Sequence, residues 1–340
     1  MVEAARRAVR PKVLVSTRGM SREDWLEWRR KGIGGSDSAV VLGLSRWKSP
    51  TVLWFEKRGH SSNGEAGEAA HWGNLLEPVV ANEFSLITGF RVHKAQFILQ
   101  HPDFPWMLAN VDRLVTTPDG IGVLEIKTAG EFRAIEWRSG AIPQEYMCQV
   151  QHYLAVTGYA FAYIAVLIGG QRFEYLRIDR DDELIDRLIE AEANFWETVE
   201  LEDPPQIDGS DATAEWLQSR YPRAVQPEPF DLPRDAKPLV EAYLQASKDE
   251  REAARRKSEA QNQLEALLGD HEVGRIGRAH EAIIVKWANV VSRRLDTKRL
   301  KTEKPDLYEE YNTETQTRRF TVTPYKEKDQ SGKSAAPAEE

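Results

Sequence analysis

The chain has 340 residues, 41% of them hydrophobic and 29% charged, with a formal net charge of -8. That balance fits one large globular domain, or one domain with a smaller companion, and excludes a disordered or fibrous chain. The acidic total gives no basic footprint of the kind non-specific nucleic-acid binders carry, so any claim on DNA must come from motifs. A single cysteine, Cys148, leaves no partner for an internal disulfide and no basis for a cysteine-built zinc or iron–sulfur site. The longest apolar runs, such as residues 160–168, are far too short to span a bilayer. The arginine-bearing start lacks the apolar core of a secretory signal, which places the expected location in the cytoplasm, with no membrane partner.

Residues 1–20 show no clear period and are expected to form a flexible arm. Ser21 precedes Glu23, Asp24 and then Trp25, Leu26 and Trp28, the pattern of a capped helix running to about Lys31. The glycines of 32–35 lead into a short helix, with Ser36 or Asp37 as its expected cap. Backbone N–H groups at such a start can receive an anion, although on these residues alone an ordinary helix start is the better explanation. Arg46, Trp47 and Lys48 sit in a loop; basic groups around an aromatic can meet an unpaired base or a phosphate, or simply flank a buried tryptophan. Pro50 opens a helix to about Lys57. From Glu68 to Thr88 apolar residues recur at helical spacing, interrupted by Pro78 and ended by Gly89.

The chemistry is densest between Met107 and Gln151. Strands are expected at 91–99, 106–116 and 121–128, the last two joined by the turn Thr117-Pro118-Asp119-Gly120. Glu125 and Lys127 share one strand face while Ile126 points away. Pairing the strands brings Asp112, thirteen positions before Glu125, towards that face. Two carboxylates raise each other's pKa, and a divalent cation that favours oxygen removes the conflict. A cross-strand salt bridge on a surface hairpin is the plainer explanation. Residues 131–140 are read as a short helix or lid. Pro143 starts a helix through Tyr146, Gln149 and Gln151, whose glutamines on their own would be surface residues. Residues 159–178 form a hairpin around Gly169-Gly170, and 181–200 an amphipathic helix that closes the core.

Taken together, Trp25-x-x-x-Arg29, Ile33-Gly34-Gly35-Ser36-Asp37, Gly73-x-x-x-Glu77, Asp112 with Glu125-x-Lys127, and Tyr146-x-x-Gln149-x-Gln151 resemble the YqaJ-like viral recombinase family. This is the phage exonuclease group typified by the lambda exonuclease, within the PD-(D/E)XK superfamily, with Val111 where proline often stands. The resemblance covers roughly residues 20–200 and implies an α/β (α+β) restriction-endonuclease-like core, a mixed central sheet flanked by helices. It implies a Mg²⁺-dependent exonuclease, with Mn²⁺ as a substitute, that digests one strand of duplex DNA from a 5′ end and leaves a 3′ single strand for an annealing protein. The resemblance assigns metal contacts to Asp112, Glu125 and the Ile126 carbonyl, with Glu77 auxiliary. It assigns water activation to Lys127 helped by Gln149, and the 5′-phosphate or DNA to Arg29, Ser36, Asn110, Arg46, Lys48 and Tyr146. Family members often form a trimeric ring, so a homo-oligomer is expected, in a bacterial host as a phage or prophage protein. An endonuclease or repair nuclease with the same metal core, or a non-catalytic DNA-end-binding module, are the alternatives.

The expected domain spans residues 21–202. A proline-rich linker follows at 203–234, then a charged helix and small α/β region at 235–325 that includes a strand near 318–322, and a disordered tail at 326–340. Arg293, Arg294, Lys298, Arg299 and Lys301 are available for DNA or a partner protein, or are plain surface residues.

Overall fold

The computed structural model describes residues 10–60, 67–226, 228–277, 282–314 and 317–323. The chain divides into two compact units at Tyr221/Pro222. The first unit begins with β1 (Lys12–Ser16), α1 (Arg22–Arg30), β2 (Ile33–Gly34), α2 (Gly35–Val41), α3 (Pro50–Lys57) and α4 (Glu68–Thr88). There follow β3 (Arg91–Lys94), β4 (Phe97–Gln100), β5 (Met107–Ala109), β6 (Arg113–Thr117), β7 (Gly120–Ala129) and a 3-10 segment, Glu131–Gly140. It closes with α5 (Gln144–Thr157), β8 (Phe161–Ile168), β9 (Arg172–Asp179), α6 (Asp182–Glu200) and α7 (Asp211–Arg220).

A five-stranded sheet runs β3-β6-β7-β8-β9, antiparallel except for the parallel β7–β8 pair. A four-stranded sheet runs β1-β4-β5-β2, with β2–β5 parallel. The mixed sheet with helices on both faces is the expected architecture, and its two-sided burial shows in β7. Val123 faces the cluster of Val150, Leu154, Ile164 and Ile185, while Leu124 and Ile126 face that of Val80, Phe84 and Ala165. A strand covered on both sides reads as a continuous apolar run, and only Glu125 breaks the buried stretch 122–126.

Local signals explain most element ends. Ser21 caps α1 by accepting from the Asp24 N–H at 3.0 Å, Ser49 caps α3 through Val52 N–H, and Asp181 caps α6 through Leu184 N–H. Gly89 and Gly158 end α4 and α5 with φ of 70° and 73°, the left-handed conformation glycine adopts without a Cβ penalty. α4 continues through Pro78.

The structure departs from the sequence reading in six places. Residues 12–16 are not an arm: they pair with β4. The stretch 91–99 is two strands in different sheets, and 106–116 likewise breaks between β5 and β6. Strand propensity continues through each run, and nothing local says which sheet receives each half. α2 is capped at Gly34 rather than Ser36 or Asp37; the Asp37 side chain instead reaches back to accept the Gly34 N–H at 3.1 Å. The proposed linker contains α7, whose Thr213 bonds Ser49 at 2.6 Å and whose Trp216 stacks on Phe55 at 4.5 Å between ring centres. Finally, residues 317–323 form no strand.

The second unit holds a 3-10 turn (Arg234–Ala236), the long α8 (Lys237–Leu268), a β10–β11 hairpin (Val273–Ile276, Ile283–Lys286), α9 (Thr297–Glu303) and α10 (Pro305–Tyr311). Leu268 is the one buried hydrophobic residue among the described residues of this unit. The supposed arm at 1–9 and tail at 326–340 lie outside the described residues. Among the described residues, no helix is long and apolar enough to cross a membrane.

Candidate active site

The site is built where β6 stops. The register of the β6–β7 hairpin ends at Arg113 opposite Leu124, so the next pair would set Asp112 against Glu125. The backbone leaves the ladder there instead. The Asp112 carboxylate takes the place of a strand carbonyl and accepts the Ile126 N–H at 3.0 Å. Asp112 thereby turns towards the face that carries Glu125 and Lys127. Burial, then the charge of Glu125, push its carboxyl well above the usual range.

Glu125 is almost fully buried on β7. Its Oε1 accepts from Lys127 Nζ at 2.7 Å and from Gln149 Nε2 at 2.6 Å. Its Oε2 is buried with no partner. Lys127 Nζ also donates to Gln149 Oε1 at 2.9 Å and lies 4.7 Å from the centre of the Tyr146 ring. Burial alone would lower the Lys127 pKa, but the charge and hydrogen bond of Glu125 outweigh it and hold the ammonium above its usual range. Gln149 is positioned by α5, and Tyr153, one turn on, accepts from Gln149 Nε2 at 3.2 Å and donates to the Asn110 carbonyl at 3.3 Å. Burial, then the charges of Glu125 and Asp112, raise the Tyr153 phenol well above its usual range.

These groups form the floor of a cavity of about 590 Å³, within the size range of ligand sites. One wall is α4 with Gly73 and Glu77; another is α1 and α2 with Trp25, Arg29, Gly35 and Ser36. Arg29 Nη2 donates to Ser36 Oγ at 3.0 Å and to Asp37 Oδ1 at 2.6 Å. Asn110 lines the cavity, and its side-chain oxygen is buried without a partner. The geometry therefore gathers Arg29, Ser36, Glu77, Asn110, Asp112, Glu125, Ile126, Lys127 and Gln149 around one space.

The other expected residues lie at its margin or beyond. Glu77 reaches the cavity but is ion-paired with Arg113, which also donates to the Asp112 carbonyl at 2.8 Å. Tyr146 stands behind Lys127, stacked on Trp137 at 5.6 Å and touched by Arg133. Lys48 lines an adjoining cavity and pairs with Glu56 at 2.5 Å. Arg46 pairs with Glu136 at 3.1 Å and lines neither cavity.

Residues 24–160 match the YqaJ-like viral recombinase domain. The chain is 42% identical over 317 residues to the uncharacterised protein YqaJ of Bacillus subtilis (strain 168), covering 92% of this chain and 98% of that one. It belongs to the YqaJ-like viral recombinase family. Two solved structures are similar over part of the chain. The alkaline exonuclease LHK-Exo of Laribacter hongkongensis has 21% identity, a TM-score of 0.44 and coverage of 58% of this chain and 97% of its own. A phage-related exonuclease of Haemophilus somnus 129PT has 14% identity, a TM-score of 0.38 and coverage of 52% and 99%.

Several residues of this family member escaped the sequence reading. Tyr153 was legible, since 146, 149 and 153 share one helical face. Gln151 is no surface residue: its side chain donates to the Asp179 carbonyl at 2.8 Å and accepts the Asp181 N–H at 3.0 Å, pinning α5 to the start of α6. Ser38, His152 and Glu192 form a buried polar cluster joining α2, α5 and α6. No local pattern marks them, because their contacts span 40 residues for His152–Glu192 and 114 and 154 for those of Ser38.

Proposed function

We propose that this chain is a divalent-metal-dependent deoxyribonuclease of the recombination type. It would digest one strand of duplex DNA from a 5′ end and leave a 3′ single strand for an annealing protein. One observation carries the reading: the Asp112, Glu125, Lys127 and Gln149 cluster and the Arg29–Ser36 pair face the same cavity. A hydrolytic centre and an anion site within one enclosure suit an enzyme that works at a phosphorylated end.

The residues fit a hard cation. Among the described residues no three His, Cys, Asp or Glu side chains converge as a metal cage, but Mg²⁺ commonly binds through one or two carboxylates and fills its shell with water and phosphate oxygens. Asp112 and Glu125 would supply those two, with the Ile126 carbonyl as a further ligand, and the partnerless Glu125 Oε2 is a buried acceptor that suits such a cation. The metal supplies Lewis acidity at the scissile phosphate and lowers the pKa of water.

The chain's own groups do the rest. Lys127, held by Glu125 and Gln149, presents an ammonium that orients the attacking water and offsets charge on the phosphate. Gln149 fixes that ammonium. Water oxygen joins phosphorus, the bond to the 3′-oxygen breaks, and that oxygen leaves with a proton. The shortened strand then carries a new 5′-phosphate, so the Arg29–Ser36 site meets its ligand again after each turnover. A guanidinium fork and a hydroxyl suit that group. By the same reading Asn110, Tyr146, Lys48 and Arg46 contribute to DNA contacts around the entrance, Mn²⁺ replaces Mg²⁺, and the protein works as a homo-oligomer, with a trimeric ring as the expected form.

The decisive assay uses linear duplexes labelled at one end, incubated in Mg²⁺ or EDTA, with a covalently closed circle alongside. Shortening of the 5′-terminated strand in Mg²⁺ only, with the circle intact, is expected. Cutting of the circle would make the protein an endonuclease, and tight end binding without turnover would make it a binding module.

A further inference from the structure

Arg29 does not stand in the cavity wall alone. Its partner Asp37, 2% exposed in the first turn of α2, is shared between two cations. Oδ1 accepts from Arg29 Nη2 at 2.6 Å, and Oδ2 accepts from Lys57 Nζ at 2.6 Å and from the Gly34 N–H. Lys57 is the last residue of α3, with its side chain only 4% exposed, and its ammonium also donates to the Arg29 carbonyl at 2.8 Å. Three helices thus meet on two positive charges and one negative charge.

A fully buried lysine is costly, and burial pushes the Lys57 ammonium below its usual range. The pair Arg29–Asp37 would be neutral without it. A neutral pair offers an arriving phosphate little net attraction, because Asp37 repels what Arg29 attracts. Lys57 cancels Asp37 from behind and restores one positive charge. Asp37 meanwhile fixes the guanidinium through Nη2. Among the described residues every hydrogen bond of that side chain leaves from Nη2, so Nε and Nη1 remain for a ligand.

We propose that Asp37 and Lys57 are positioning residues of the end-phosphate site: Asp37 sets the angle of the Arg29 fork, and Lys57 keeps the cluster net positive. This rests on the reading of Arg29–Ser36 as the 5′-phosphate site.

The test compares initial rates on linear duplexes ending in 5′-phosphate or 5′-hydroxyl, for wild type, Lys57→Gln, Lys57→Arg and Asp37→Asn. Lys57→Gln keeps a donor for Asp37 and removes the charge. It is expected to cut the phosphate-to-hydroxyl rate ratio about tenfold, chiefly through KM, while Lys57→Arg restores most of the ratio. Asp37→Asn adds net positive charge yet frees the fork; DNA binding is expected to become steeper in salt while the end preference falls. A folded Lys57→Gln enzyme with the wild-type ratio overturns the role of Lys57. If Lys57→Gln does not fold, Lys57→Arg and Asp37→Asn decide: end preference retained in Asp37→Asn overturns the positioning claim. A wild type that ignores the end phosphate overturns the phosphate site itself, and Lys57 and Asp37 with it.

Discussion

Gln149 donates its amide nitrogen to Glu125 Oε1 at 2.6 Å and accepts the Lys127 ammonium on its amide oxygen at 2.9 Å. A carboxylate can only accept and an ammonium can only donate, so the amide orientation is chemically fixed. One side chain on α5 therefore sets both Glu125 and Lys127 of β7.

Replacing Gln149 separates positioning from charge. Gln149→Ala leaves Glu125 and Lys127 in place but free to pair only with each other, and kcat is expected to fall about 10²-fold with a smaller change in KM. Gln149→Glu puts a third carboxylate beside Asp112 and Glu125 and is expected to cost more than the alanine. Steady-state rates on a 5′-phosphorylated duplex check the order; equal losses would reduce Gln149 to a packing residue.

Asp112 is expected to trade stability for function. Its carboxyl sits well above the ordinary range because burial and Glu125 oppose ionisation. A group with a raised folded pKa favours the fold when protonated and loses that contribution as pH rises through the folded value. At neutral pH Asp112→Asn relieves the repulsion and keeps an acceptor for the Ile126 N–H. In EDTA the variant is expected to be more stable by about 1 kcal/mol, while the Mg²⁺-induced rise in Tm and all nucleotide release disappear. Thermal melts with and without Mg²⁺ give the answer; a less stable metal-free variant contradicts it.

How much of this was legible follows from the reach of each signal. The helix ends at Ser21 and Gly89 read directly from their caps, and so did the start of α3 at Pro50 and the 112–127 hairpin, because each signal lies within a few residues. The break at Asn110–Asp112 did not, since an apolar run reports burial and not which sheet receives it. Glu77 was expected as an auxiliary metal carboxylate, and nothing near it in sequence announces its ion pair with Arg113. Gln151, His152 and Glu192 are polar residues on helices, which suggests solvent; only the packing of α2, α5 and α6 makes them buried partners.

Gly35 tests the contact between the two halves of the site. It lies against the buried Tyr153 ring, and a Cβ there would collide with Tyr153 Cε1. The ring is held through its hydroxyl by Gln149 and the Asn110 carbonyl, so a shift to make room strains both bonds. Gly35→Ala is expected to cost about 1–3 kcal/mol and to lower kcat, since pressure on Tyr153 passes to Gln149. Adding Tyr153→Leu should recover stability without recovering activity. A Gly35→Ala protein with wild-type melting and rates would show that α2 shifts freely.

The buried His152–Glu192 pair predicts the pH dependence of the fold. His152 Nδ1 meets Glu192 Oε1 at 2.8 Å and Nε2 meets the Leu108 carbonyl at 2.9 Å. An ionised Glu192 and the Leu108 carbonyl both accept, so the geometry favours a ring that carries both protons, with Ser38 Oγ closing the cluster at 3.2 Å from Nδ1. Burial pulls the imidazole pKa down, but Glu192 and Leu108 outweigh it and hold it above its usual value. The resulting stabilisation is fully present below the unfolded histidine pKa, about 6.5, and is lost as pH rises through the higher folded value. Wild-type Tm is therefore expected to fall as pH rises above about 6.5, and His152→Gln to flatten that slope while lowering Tm at pH 6. Glu192→Gln strands a buried imidazolium and is expected to cost about 3–5 kcal/mol at pH 6, with less loss at pH 9, where the ring can shed its charge. Melting curves across pH for the three proteins decide it. Parallel wild-type and His152→Gln curves would show that the ring is neutral throughout and that the cluster is held by hydrogen bonds alone.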